Sequence, residues 1–164
     1  MKTPLIFSLF FLLLLSNNKV NAQDNKKEIS FILVINDEIL GTSANLTFTI
    51  KTETTTEIIK SYYSPGKLTM DKLDFEKLMS SNTKTIYLRY FGTVYLNSKS
   101  NYYDFEIEYQ KPWLDSSFNI LRLYDLSNTK YKKLYDPLSK DKNYTFNLDF
   151  DGGQMIHIRK KTKR

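Results

Sequence analysis

Cysteine is absent from the 164 residues. That excludes a disulfide framework, a lipid-modified cysteine and thiol catalysis, and leaves packing alone to hold the fold. Histidine occurs once, at His157. Zinc sites built on three histidines or on His–Cys pairs are therefore excluded. Only one imidazole base exists for nucleophile activation. No repeat of fixed period is present. Gly66-Lys67 lacks the context of a phosphate loop, because Ser61 stands where the leading glycine belongs and Leu68 follows the lysine. No motif assigns the chain to a family, and none implies a cofactor or a metal.

Long apolar runs are also scarce, with one exception at the start. "MKTPLIFSLFFLLLLSNNKVNA" has a basic residue at Lys2, an apolar run from Leu5 to Leu15 broken by Ser8, and small residues ending at Ala22. This is the pattern of a secretory signal peptide over residues 1–22. The run is too short for a span, which needs about 20 apolar residues. A polar segment at 23–28, one domain at 29–159 and a basic tail at 160–164 complete the expected organisation. The expectation is an exported protein of bacterial type, periplasmic, cell-surface or extracellular. No transmembrane segment is expected in the mature chain.

Charge is spread unevenly. The chain has 24 basic and 18 acidic residues. Lys2 and Lys19 fall in the signal, and Arg159, Lys160, Lys161, Lys163 and Arg164 fall at the end. The body between is close to neutral. Nucleic-acid binding calls for a basic face within the domain, so no specific nucleic-acid partner is expected. Lys160, Lys161, Lys163 and Arg164 form a solvated tail that could touch an anionic surface.

What remains is rich in strand signals. "ANLTFTIK" alternates with a period of two, and "EISFILVIN" is apolar on both faces, as suits a central strand. "TTTEIIKSYY" runs into Ser64-Pro65-Gly66, a type II turn signal. "TIYLRYF" and "TVYLN" read as two strands separated by Gly92, and "YYDFEIEYQ" alternates again. "SFNILRLYDL", "YTFNLDF" and "QMIHIRK" follow, with a polar stretch at 127–143 between the first two. "MDKLDFEKLMSS" is the one helical candidate, capped by Asp71. The fold class is all-β. The expected architecture is an antiparallel β-sandwich, Ig-like or prealbumin-like, with about eight strands and one short helix; a small β-barrel is the alternative. For the last hairpin, pairing apolar with apolar favours a three-residue loop, Asp151-Gly152-Gly153. That register sets Leu148 against Ile156 and sends His157 to the polar face.

Two constellations carry candidate chemistry. Tyrosine is abundant, at 12 residues, beside a single tryptophan. Tyr62, Tyr63, Tyr102 and Trp113 stand near predicted turns, and Tyr131 and Tyr135 alternate with lysines in "KYKKLY". Flat aromatic faces with polar edges suit a glycan or a protein partner. A disulfide-free core competes for the same rings. Asp104, Glu106 and Glu108 alternate along one strand. Carboxylates two residues apart lie roughly 6.5–7 Å from each other. That approaches the spacing of about 6.5–9.5 Å in an inverting glycosidase. The solvent face of an amphipathic strand looks the same. The expectation is a non-catalytic binding module for protein or glycan, with a small carboxylate-dependent glycan hydrolase as the alternative.

Overall fold

The computed structural model of the chain describes residues 25–96 and 99–156. Ten strands form one curled sheet. They are β1 (Lys26–Ile35), β2 (Glu38–Ile39), β3 (Ala44–Lys51), β4 (Thr56–Ser64), β5 (Gly66–Asp71), β6 (Thr85–Leu96), β7 (Lys99–Tyr109), β8 (Asn119–Asp125), β9 (Tyr144–Phe150) and β10 (Gly153–Ile156). The spatial order is β10-β9-β8-β1-β5-β4-β3-β6-β7, with β2 paired to β1 alone. Three short helices join them: α1 (Lys72–Met79), α2 (Lys111–Leu114) and α3 (Thr129–Leu134).

The fold is all-β, as the alternation predicts. The sheet is mixed rather than purely antiparallel, because β1 runs parallel to β8, with Phe31 opposite Asn119 and Ile35 opposite Leu123. This follows from β1's composition. A strand apolar on both faces is suited to the middle of a sheet, and β1 lies between β8 and β5. It begins at Lys26, so the end of the polar 23–28 segment is already strand.

Alternation gives each strand an inner face. Phe31 and Leu33 of β1, Leu46 and Phe48 of β3, Ile59 and Tyr63 of β4, Leu88 of β6, Phe105 and Ile107 of β7 and Phe146 and Leu148 of β9 build one continuous core. Tyr63 contributes a polar tip as well. Its hydroxyl donates to the Leu40 carbonyl at 2.9 Å and accepts from the Leu33 N–H at 3.4 Å.

Several expectations need correction. Gly92 does not divide two strands; β6 runs through it, opposite Tyr103 of β7. The Tyr90 ring lies over the glycine, its hydroxyl 3.2 Å from where a Cβ would stand. The ring thus covers a gap that would otherwise weaken the strand. β5 starts within the Pro65-Gly66 turn, at Gly66, whose φ of +92° is what a type II turn requires. The helix predicted near Asp71 is α1, but the Asp71 carboxylate accepts from Lys26 Nζ at 2.7 Å instead of capping it.

The last hairpin takes the two-residue loop. Phe150 pairs with Gly153, Leu148 with Met155 and Asn147 with Ile156. Asp151 explains the choice. Its carboxylate accepts from the Ser116 hydroxyl and the Ser117 N–H, both at 2.8 Å, and its own N–H donates to Ser116. These bonds anchor the Asp151-Gly152 turn, and the positive φ falls on the next residue, Gly153, at +137°. Met155 therefore packs against the core and Ile156 is exposed. His157 lies outside the described residues.

Candidate functional site

The six aromatic candidates separate into two groups. Tyr63 and Trp113 are core residues. Trp113 sits on α2, where Lys111-Pro112 ends β7 and turns the chain, and its ring meets Tyr109 edge-on at 5.1 Å. Tyr131 and Tyr135 are buried on the other side of the sheet in a small cluster with Tyr124 and Leu126. Tyr135 stacks on Tyr124 with centroids 4.5 Å apart.

The polar stretch at 127–143 thus contains a docked helix, α3. The Tyr131 hydroxyl lies 2.6 Å from the Asn36 carbonyl and 3.0 Å from the Asp37 carboxylate, and Lys130 Nζ donates to the same carboxylate at 2.8 Å. The bond from Lys130 holds the Asp37 carboxyl below the usual carboxylate range. Asn36 and Asp37 both have positive φ, 54° and 67°, in the tight turn between β1 and β2. The α3 contacts brace a turn that few residue types adopt readily.

Tyr62 and Tyr102 are exposed, at 51% and 60%. Both lie on the outer face of β4-β3-β6-β7, opposite in parity to the buried Tyr63 and Tyr103. Phe91 and Tyr95 of β6 join them, exposed by 57% and 79%. The Phe91 and Tyr102 rings meet edge-on, with centroids 5.1 Å apart. Pairing between β3 and β6 ends at Leu46 and Tyr90. From Phe91 onward β6 pairs with β7 alone among the described strands, as a two-stranded ribbon.

A charged pair borders these rings. Arg89 grips Asp104 with two parallel hydrogen bonds, Nε to Oδ1 at 2.8 Å and Nη2 to Oδ2 at 2.7 Å. Its guanidinium also lies 5.3 Å from the Phe91 ring centre. The Arg89 fork holds the Asp104 carboxyl below its ordinary value of 3.8. With the folded value depressed, the pair's contribution to stability is present above the unfolded value and is lost as pH falls through the folded one. Arg89→Met should raise the pH at which Asp104 titrates, read by NMR of the side-chain carboxyl carbon. An unchanged titration would mean that Arg89 does not set it.

A second feature opens where the curled sheet does not close. A cavity of about 410 Å³ lies between the edge strand β7 and the β9–β10 end. Its floor is apolar, made of Trp113, Phe146, Leu138 and Met155. Its rim carries Glu106 and Glu108 from β7 and Lys142 from the segment before β9. Tyr144 of β9 is tied to the β7 backbone. Its hydroxyl accepts from the Glu106 N–H at 2.8 Å and donates to the Glu106 carbonyl at 2.7 Å.

The acidic strand is therefore divided. Asp104 belongs to Arg89, while Glu106 and Glu108 face the cavity without an ion pair among the described residues. Lys142, not another carboxylate, stands with them on the rim. No group of three or more His, Asp or Glu residues among the described ones could hold a metal ion. No described helix is long and apolar enough to cross a membrane. Lys160, Lys161, Lys163 and Arg164 lie outside the described residues.

Sequence reasoning missed Phe91 and Tyr95. The signal was present in parity. Counting by twos from Ile86 and Leu88 to Tyr90 puts Phe91 outside, but the supposed break at Gly92 interrupts the count. Comparison with known protein families, with curated proteins and with solved structures finds no match to this chain.

Proposed function

We propose that this protein is an exported, non-catalytic binding module for a glycan or protein partner. One observation carries the reading: Tyr62, Phe91, Tyr95 and Tyr102 are exposed together on one sheet face, beside the Arg89–Asp104 pair. Soluble chains seldom leave large rings grouped in water, and such groups mark interaction surfaces. Export rests on residues 1–22 alone. The fold is read as a sandwich made by one continuous sheet, with β5 and β4 turning the corner. Phe105 of β7 meeting Tyr144 of β9 at 5.1 Å supports two halves face to face.

Glycan hydrolysis has one observation in its favour, that Glu106 and Glu108 line the same cavity. An acid and a base must flank the scissile bond. Two carboxylates on one strand approach it from one side, and this favours binding over hydrolysis.

The test is a glycan array and a co-purification from the native envelope, run on the protein and on Phe91→Ser/Tyr102→Ser. An aromatic hot spot is worth about 2 kcal/mol or more, on the order of a 30-fold loss in affinity. A partner held equally by both proteins would refute this surface. Polysaccharide cleavage abolished by Glu106→Gln or Glu108→Gln would establish the hydrolase instead.

A further inference from the structure

β7 is the last strand in the sheet order, and on one side it meets no described strand. The direction of its backbone groups can be read from one residue. The Tyr144 hydroxyl bonds both the N–H and the carbonyl of Glu106, so Glu106 turns these groups away from β6. In an antiparallel ladder every second residue does the same. Ser100, Tyr102 and Asp104 therefore point their N–H and carbonyl groups outward too, and all three residues are exposed. Tyr144 closes the edge at Glu106. The open run among the described residues is 100–104.

An open edge is a template for another strand, and proteins commonly guard it with proline, lysine or a bulge. Residues 100–104 contain neither proline nor lysine. The β6–β7 register runs through them without a bulge. Asp104 is the only charge in the run, and Arg89 already holds it.

The run also complements itself. Two copies related by a two-fold axis pair antiparallel. An axis at Tyr102 sets Tyr102 against Tyr102 of the second copy and Ser100 against Asp104 of the second copy. This register uses every outward group of the run, and each directly opposed pair exchanges two hydrogen bonds. Ring meets ring beside the exposed Phe91, and hydroxyl meets carboxylate. An axis at Asp104 would oppose two carboxylates. It would also call on Glu106, whose groups Tyr144 holds. The other side of the ribbon is less open. There β6 leaves β3 at Tyr90, while β3 continues to Ala44 along β4. A strand added to residues 91–96 would have to enter that fork.

We propose that β7 pairs with β7 of a second copy about a two-fold axis at Tyr102, joining two sheets into one. The axis stands perpendicular to the sheet, so the outer faces of both copies lie on the same side. Backbone groups at the edge carry this inference, and it does not rest on the binding reading.

Cysteine substitution reads the register, because the chain has no cysteine of its own. Opposed Cα atoms lie about 5.5 Å apart across such a pair, within the roughly 4.4–6.8 Å that a disulfide spans. Tyr102→Cys should therefore cross-link into a dimer under mild oxidation. Ser100→Cys should not, since the two copies of residue 100 would stand four residues apart along the strands, roughly 14 Å. Thr93→Cys, on the β6 side of the ribbon, should also stay uncross-linked. Sedimentation equilibrium of the unsubstituted protein should show a dimer whose share rises with concentration. Ser100→Pro removes an outward N–H and leaves the β6 pairing intact. It should raise the dissociation constant by about 10-fold or more, since symmetry removes two donors. Circular dichroism checks that each variant is folded. Should Ser100→Pro unfold, the cysteine series decides.

A protein that stays monomeric up to about 1 mM would overturn the proposal. Equal dimerisation of Ser100→Pro and the parent would place the contact elsewhere and overturn it as well. Cross-linking of Ser100→Cys or Thr93→Cys as fast as Tyr102→Cys would refute the register. Ser100→Pro keeps every exposed ring, so a partner lost by Phe91→Ser/Tyr102→Ser and kept by Ser100→Pro separates the binding reading from this one.

Discussion

Trp113→Ala should destabilise the protein by about 3–5 kcal/mol, the usual cost of truncating a buried tryptophan. A domain of this size has roughly 5–15 kcal/mol to lose. Trp113 is 4% exposed and packs against Tyr109 and Phe150. Its removal opens a void between α2 and the β9–β10 hairpin. With a urea slope of about 2 kcal/mol per molar, the unfolding midpoint should fall by roughly 2 M, followed by circular dichroism. Tyr102→Ala is the control. It removes a ring of similar character from the surface and should move stability by no more than about 0.5 kcal/mol. Similar midpoints for Trp113→Ala and the parent would mean that the tryptophan is not a core residue. The pair of variants thus separates two roles that look alike in sequence.

The strands were legible because each had to bury one face. "ANLTFTIK" and "YTFNLDF" match β3 and β9 residue for residue. Period-two alternation is a direct consequence of the pleat, and nothing else in those segments competes with it. Connections were less legible. β5 begins at Gly66 itself, without a loop, so its six residues merge with the helix signal after them. In the final hairpin, apolar matching favours one register, while the Asp151 bonds to Ser116 and Ser117 hold the other. Those partners lie about 35 residues away, as their hydrogen-bond separations show. No local pattern records them.

The candidate site was legible in type and not in position. Aromatic abundance pointed to ring surfaces, but proximity to a turn does not separate an exposed ring from a buried one. Tyr62 and Tyr63 are neighbours in sequence and face opposite sides of β4. Strand parity, counted from the buried Ile59, distinguishes them. Tyr131 and Tyr135 misled for another reason. Lysines around a tyrosine suggest a solvated loop, but a helix can present Tyr131 and Tyr135, four residues apart, to one side and its lysines to the other. The cavity was not legible, because it arises where two ends of the sheet meet and strand order cannot be read from one sequence.

Asn119→Leu should cost about 2–4 kcal/mol although it replaces a polar core residue with an apolar one of similar size. Asn119 is 1% exposed at the start of β8. Its Oδ1 accepts from the Tyr109 hydroxyl at 3.1 Å, and its Nδ2 donates to the Trp113 carbonyl at 2.8 Å. One side chain therefore links β7, α2 and β8. Burial pushes the Tyr109 hydroxyl far up, so it stays a neutral donor at any pH the fold survives. Leucine would leave that donor with no partner and the Trp113 carbonyl with a longer bond from the Ser116 N–H at 3.4 Å. A buried group left unpaired costs about 1–3 kcal/mol. Tyr109→Phe alone should cost about as much as one such group, because it orphans the Asn119 oxygen. The double variant removes donor and acceptor together and should fall short of the summed losses by about 1–3 kcal/mol. Urea unfolding of the four proteins measures that coupling. Additivity within about 0.5 kcal/mol would mean that Tyr109 and Asn119 do not act as a pair. Strong coupling would show that hydrogen bonds, as well as apolar contact, hold the Trp113 turn against the sheet and so set the floor of the cavity.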